Sequence, residues 1–149
     1  MGSSELIQTI KTVLDDQLLA VLSTHDGDQP YSSLVCFAAT DDLRCLVFAT
    51  ARATRKYANI TADSRVAMLV DDRANDAADI DRATAVTVLG TAREVRGEER
   101  EDLLARYLGR HPHLESFASS PATALFKVEA DKYIVAHRFK HVQELSMGR

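Results

Sequence analysis

The chain is 149 residues long, 46% hydrophobic and 27% charged, with no tryptophan. That composition excludes disordered and collagen-like chains, and the length suits one domain, residues 1–149, able to bury about two-thirds of the surface its unfolded chain exposes. A net charge of −4 argues against nucleic acid as a partner, because such binding draws on surplus Lys and Arg.

Leu6, Ile7, Ile10, Val13 and Leu14 recur at helical spacing, so residues 4–16 are predicted to form an amphipathic helix capped by Ser3 or Ser4. The period then changes to that of strands. "LLAVLST" and the alternating "YSSLVCFAA" flank the turn "HDGDQP" and read as a hairpin, and "CLVFAT" follows a second turn. "SRVAMLVDD" is a fourth strand and "RANDAADIDRA" a polar loop. "TAVTVLGTAREV" is a fifth strand whose Gly90 marks a bulge or a close backbone approach. In "RGEEREDLLARYLG" the acidic first turn, Leu103, Leu104, Tyr107 and Leu108 on one side, and Gly109 at the end define a helix. "RHPHLESFASSP" is a loop or short helical turn, and "ATALFKVEADKYIVAHRF" a last hairpin or one bent long strand. Six or so strands at short spacing with three helices predict a mainly β fold, an antiparallel barrel decorated by helices, since parallel units would need a helix between most strands.

The stretch "LVFATARATRKYANI" runs from a strand into a basic helix. A helix beginning at Ala51 with Thr50 as cap places Arg52, Arg55, Lys56 and Asn59 in one outward sector and Ala53, Tyr57 and Ile60 against the barrel. Cations in a first turn oppose the helix dipole unless an anion is bound there, which points to a phosphate gripped by those side chains and by the Thr50 and Thr54 hydroxyls.

These residues resemble the pyridoxamine 5′-phosphate oxidase-like flavoproteins with the FMN-binding split-barrel fold. The likeness covers "LSTHDGDQPYSSLVCF", "LVFATARATRKYANI", "SRVAMLVDD" and "AVTVLGTAREV" in order and at similar spacing. It implies a six-stranded antiparallel split β-barrel of Greek-key type, a homodimer with FMN in the groove between subunits, and oxidoreductase activity. Carried over by position, it implies that Thr50, Arg55 and Lys56 contact the FMN phosphate or ribityl chain, with Arg52 and Thr54 beside them. Ser33, Leu34 and Val35 would lay their backbone along the isoalloxazine ring. The second subunit would complete the site from the loop around Asn75 and Asp76 or from "HRFKHVQEL". The C-terminal "YIVAHRFKHVQELSMGR" does not reproduce the Arg- and His-bearing segment that grips vitamin B6 phosphate, so the substrate is an unidentified small molecule. Deazaflavin and haem are alternative cofactors within this fold, and a non-enzymatic flavin-binding or electron-transfer protein is the alternative function.

Other constellations point to structure. His111, His113, His137 and His141 show no spacing that converges ligands, so no metal is expected, although His137 is the residue that would approach a partner's flavin or hold haem. Cys36 and Cys45 read as packed free thiols, with a bridge across a hairpin left open. Ser23, Ser32 and Ser33 lack a nucleophile elbow. No apolar run reaches the length of a membrane span and no signal-peptide pattern is present, so a cytoplasmic protein without a membrane partner is expected.

Overall fold

The computed structural model describes residues 2–148. Seven antiparallel strands form one sheet: β1 (Leu19–Asp26), β2 (Gln29–Ala39), β3 (Cys45–Ala51), β4 (Arg65–Asp71), β5 (Thr84–Glu94), β6 (Thr123–His137) and β7 (His141–Ser146). Their order is β3-β2-β1-β4-β5-β6-β7, and an added β3–β6 pairing closes the first six into a barrel. β4 returns beside β1 after the β1-β2-β3 meander, a Greek-key connection. The sixth segment is one long strand: its first half pairs with β3 and its second half with β7, so β7 lies outside the barrel.

Alternation decides what faces the core. Ala20, Leu22, Val35, Phe37, Leu46, Phe48, Met68, Val86, Val88 and Val128 point inward and are buried together. Helix α1 (Ser3–Asp16) closes one side of this core with Leu6, Ile10, Val13 and Leu14. Its N-cap is Gly2, with no side-chain capping bond, so the expected serine cap is not used. A second cluster of Val47, Ala49, Tyr107 and Leu125 lies outside the barrel beneath α4 (Gly97–Arg110). There His111 is buried and its Nε2 donates to the Phe37 carbonyl at 2.7 Å, which fixes the tautomer because a carbonyl only accepts.

The polar loop before β5 contains a short helix, α3 (Asp79–Arg82), and the segment after α4 holds a 3₁₀ turn (Pro112–Leu114) and α5 (Glu115–Ser119). Cys36 and Cys45 form no disulfide. The β2–β3 register pairs Ala39 with Leu46, which leaves the two cysteines out of step across that hairpin. At Gly90 the β5–β6 register shifts by one residue, the bulge expected there. Among the described residues no helix is long and apolar enough to cross a membrane.

Candidate functional site

β2 and β3 pair only over Phe37–Ala39 and Leu46–Phe48, so the strands part before Val35 and Thr50. Helix α2 (Arg55–Ala62) lies beside this opening. It starts four residues later than the helix wheel assumed, because the Thr54 side chain, not Thr50, caps it by accepting from the Tyr57 amide at 3.3 Å. The Thr54 hydroxyl donates to the Ala51 carbonyl at 2.8 Å and stands 3.0 Å from the Thr50 hydroxyl. With the Thr54 proton committed, Thr50 is the donor of that pair. The two threonines therefore knit the turn, and Thr50 is only 2% exposed.

The face of α2 that packs on the barrel is centred on Asn59 and Ile60, its two buried residues. Asn59 faces inward, is 3% exposed, and donates from Nδ2 to the Thr24 hydroxyl on β1 at 3.0 Å, which corrects its expected place on the outward face. Arg52 lies in the turn before the helix and not on its cationic face. Its guanidinium meets Glu94 at 2.8 Å and Tyr57 at 3.3 Å. This contact holds the Glu94 carboxyl below the ordinary carboxylate range.

Two cations remain in the first turn of α2. Arg55 is largely exposed, and its nearest carboxylate, Asp26, lies at 3.9 Å. Lys56 makes no ion pair among the described residues. The Arg55 and Lys56 amides, as first-turn donors, have no intrahelical acceptor. On β2, Ser33 has its hydroxyl buried without a hydrogen-bond partner, Val35 is buried, and Leu34 points outward with 66% exposure. The first turn of α2 fits an anionic group: two cations and amides without an intrahelical acceptor lie together there.

The outer face of the sheet beyond Leu34 is apolar. Register places Leu34 beside Val21 and Val21 beside Leu69, and the next row pairs Ala67 with Leu89. Leu18, Leu19, Leu34, Leu69 and Leu89 are all exposed. Asn75 and Asp76 lie in a loop whose amides are held by the Asp79 carboxylate. His137 ends β6, its Nδ1 lies 3.2 Å from the Thr84 hydroxyl, and its Nε2 is buried without a partner. Among the described residues no group of three or more His, Cys, Asp or Glu is placed to hold a metal ion. Sequence reasoning missed the Arg52–Tyr57–Glu94 contact, for which Glu94 at the end of β5 gives no local signal.

Among solved structures, the heme binding protein from Mycobacterium smegmatis superposes with a TM-score of 0.84 at 14% identity, over 98% of this chain and 58% of that one. This chain thus spans less than two-thirds of that protein's length. General Stress Protein 26 from Bacillus anthracis gives 0.70 at 23% identity, over 95% of this chain and 99% of that one. An FAD-binding protein from Mesorhizobium loti gives 0.67 at 17%, over 86% and 90%. Such identities establish likeness of fold. No curated protein matches the sequence significantly. Residues 6–136 match the family described as Pyridoxamine 5'-phosphate oxidase. With that match running from the first helix almost to the end of β6, the chain belongs to the pyridoxamine 5′-phosphate oxidase family.

Proposed function

We propose that this protein binds FMN, with the cofactor's phosphate at the first turn of α2, and acts as an oxidoreductase on an organic small molecule. The observation that carries the reading is the pair Arg55 and Lys56, cations without a tight carboxylate at a helix N-terminus beside the β2–β3 opening. Such a turn favours a phosphate through its dipole, its free amides, a bidentate guanidinium and an ammonium point charge.

In this reading Arg55 and Lys56 hold the phosphate, while Thr50 and Thr54 shape the turn that presents them. The Ser33 hydroxyl is an unpartnered polar group, closed to solvent, on the strand whose backbone, at Ser33, Leu34 and Val35, lies along the ring in this reading. Arg52 stays outside the set because Glu94 and Tyr57 occupy it. FMN would supply an acceptor for a hydride or for single electrons, and the protein would supply orientation, electrostatics and shelter from water. The chain's part in this reading is binding and positioning.

The exposed leucines of the outer face support a homodimer that covers them, with the cofactor in the groove between copies. Relatives of this fold are described as heme binding and as FAD-binding. Haem would take His137 as its ligand, and the Nε2 of that residue is closed to solvent.

The test is the absorption spectrum of the purified protein with identification of the molecule released by heat. Two flavin bands and the mass of FMN support the reading. Release of haem or a deazaflavin, or a colourless protein that refuses FMN, overturns it. Reduction of the bound flavin by a small organic compound marks an enzyme, whereas reduction by a protein partner alone marks an electron carrier.

A further inference from the structure

Helix α2 has no acidic residue in its first turn. A nearby negative charge stabilises a helix N-terminus, and the residues that open α2 are the reverse, Arg55 and Lys56. The carboxylate comes from another element. Asp26, the last residue of β1, places Oδ2 3.9 Å from Nη1 of Arg55.

The fold sets that placement. Two residues earlier on β1 the Thr24 hydroxyl accepts from Asn59, and Asn59 lies four residues after Arg55 on α2. Two residues of strand advance ~6.6 Å and four residues of helix ~6 Å, so Thr24–Asn59 and Asp26–Arg55 are successive rungs between antiparallel elements. The β1–β2 ladder stays in register to its last pair, Asp26 with Gln29, and a two-residue turn starting at Gly27, φ 65, closes it. A paired strand therefore holds Asp26 beside the first turn of α2.

The contact itself is loose. At 3.9 Å the two groups make no hydrogen bond, and both side chains are about half exposed, so water screens the pair. Arg55 forms no other ion pair among the described residues. A guanidinium held in this way is able to turn to a bidentate anion, whereas that of Arg52 is already committed to Glu94 at 2.8 Å. An anion arriving at the turn meets two effects of Asp26: competition for Arg55 and repulsion between like charges.

We propose that Asp26 is the resident counter-anion of the α2 turn, a carboxylate that an incoming phosphate displaces from Arg55, and that it thereby sets how tightly the site holds its ligand. Asp26 then acts with opposite sign on the two states, steadying the empty turn and weakening the filled one. That the phosphate is that of FMN rests on the flavin reading. That Asp26 opposes an anion at this turn does not.

Cofactor-free parent and Asp26→Asn protein are titrated with FMN and with riboflavin, which lacks the phosphate, and flavin fluorescence is followed. Inorganic phosphate, followed by the Arg55 and Lys56 amide shifts of ¹⁵N-labelled protein, is the probe that needs no flavin. Asp26→Asn is expected to bind FMN about three- to tenfold more tightly, the scale of screened surface charges, and riboflavin as the parent does. The gain should shrink in an Arg55→Ala background and at high salt, and cofactor-free Asp26→Asn should melt no higher than the parent. Unchanged or weaker FMN binding by Asp26→Asn, where the parent takes FMN, overturns the proposal and leaves the flavin reading standing. An equal gain for riboflavin overturns it too. If FMN is refused but phosphate shifts the two amides, the flavin reading falls, and the phosphate affinities of parent and variant decide the proposal. A parent that takes neither ligand overturns both.

Discussion

At Gly90 one hydrogen atom in place of a methyl lets β5 and β6 meet. A Cβ there would press into the Glu129 carbonyl, backbone that has no flexible end to swing away. Gly90→Ala is expected to lower stability by about 2–3 kcal/mol, in the range of overpacked cores, and an unchanged urea midpoint would contradict it. Glu99 makes a different kind of prediction. Arg93 and Lys127 bond its carboxyl and hold it at about 2 against an ordinary 4.5. The folded state thus binds fewer protons than the unfolded one in that window, and stability falls as pH drops from 4.5 toward 2. Glu99→Gln should flatten that acid limb when melting temperature is followed against pH, and an identical limb would exclude the assignment. Gly90 was legible in the sequence because an isolated glycine interrupts a clean alternation. Asn59 was not, because a polar residue between cations on the helix wheel reads as solvated, and only its bond to Thr24 on β1 shows that this side of α2 faces the barrel.

Among the elements, α2 matters most, since it ties a cationic end to the barrel. The Asn59–Thr24 bond is buried, so Asn59→Ala leaves the Thr24 hydroxyl unpaired and should lower stability by about 1–3 kcal/mol. Because the bond anchors the helix to β1, the same variant should also loosen FMN; a variant as stable as the parent in chemical denaturation would show the anchor to be idle. The cap explains why the start of this helix was hard to read: "TARAT" offers two threonines, and only the three-dimensional turn decides that Thr54 takes the Tyr57 amide. Strands β1, β4 and β5 were readable because one face is buried and their side chains alternate, and β3 because it is a short apolar run buried on both faces. β7 was not, since it lies outside the barrel and only Gln143 and Leu145 alternate into partial burial, too short a pattern to stand out.

For the whole molecule, the uncovered leucines of the outer face and the cationic turn lie on one barrel, and the proposed dimer uses both. Leu34→Glu places a carboxylate in the centre of that face. Light scattering should then report the mass of one chain where the parent gives two, and a parent protein that is itself a monomer would remove the second copy from the account. The first six strands and helices α1 and α4 were legible because patterning and turn chemistry agree along the chain, whereas the Greek-key order came from the family resemblance. The partners were not, because a sequence records an exposed leucine and a buried one with the same letter. The central claim, a phosphate of FMN at Arg55 and Lys56, is tested most directly by titrating cofactor-free protein with FMN and following quenching of flavin fluorescence in the parent, Arg55→Ala/Lys56→Ala and Arg52→Ala. At roughly 1.5–3 kcal/mol for each charged contact, the double variant should bind at least ~100-fold more weakly, while Arg52→Ala should bind as the parent does. Equal affinity in the parent and the double variant, or a loss confined to Arg52→Ala, would contradict the account.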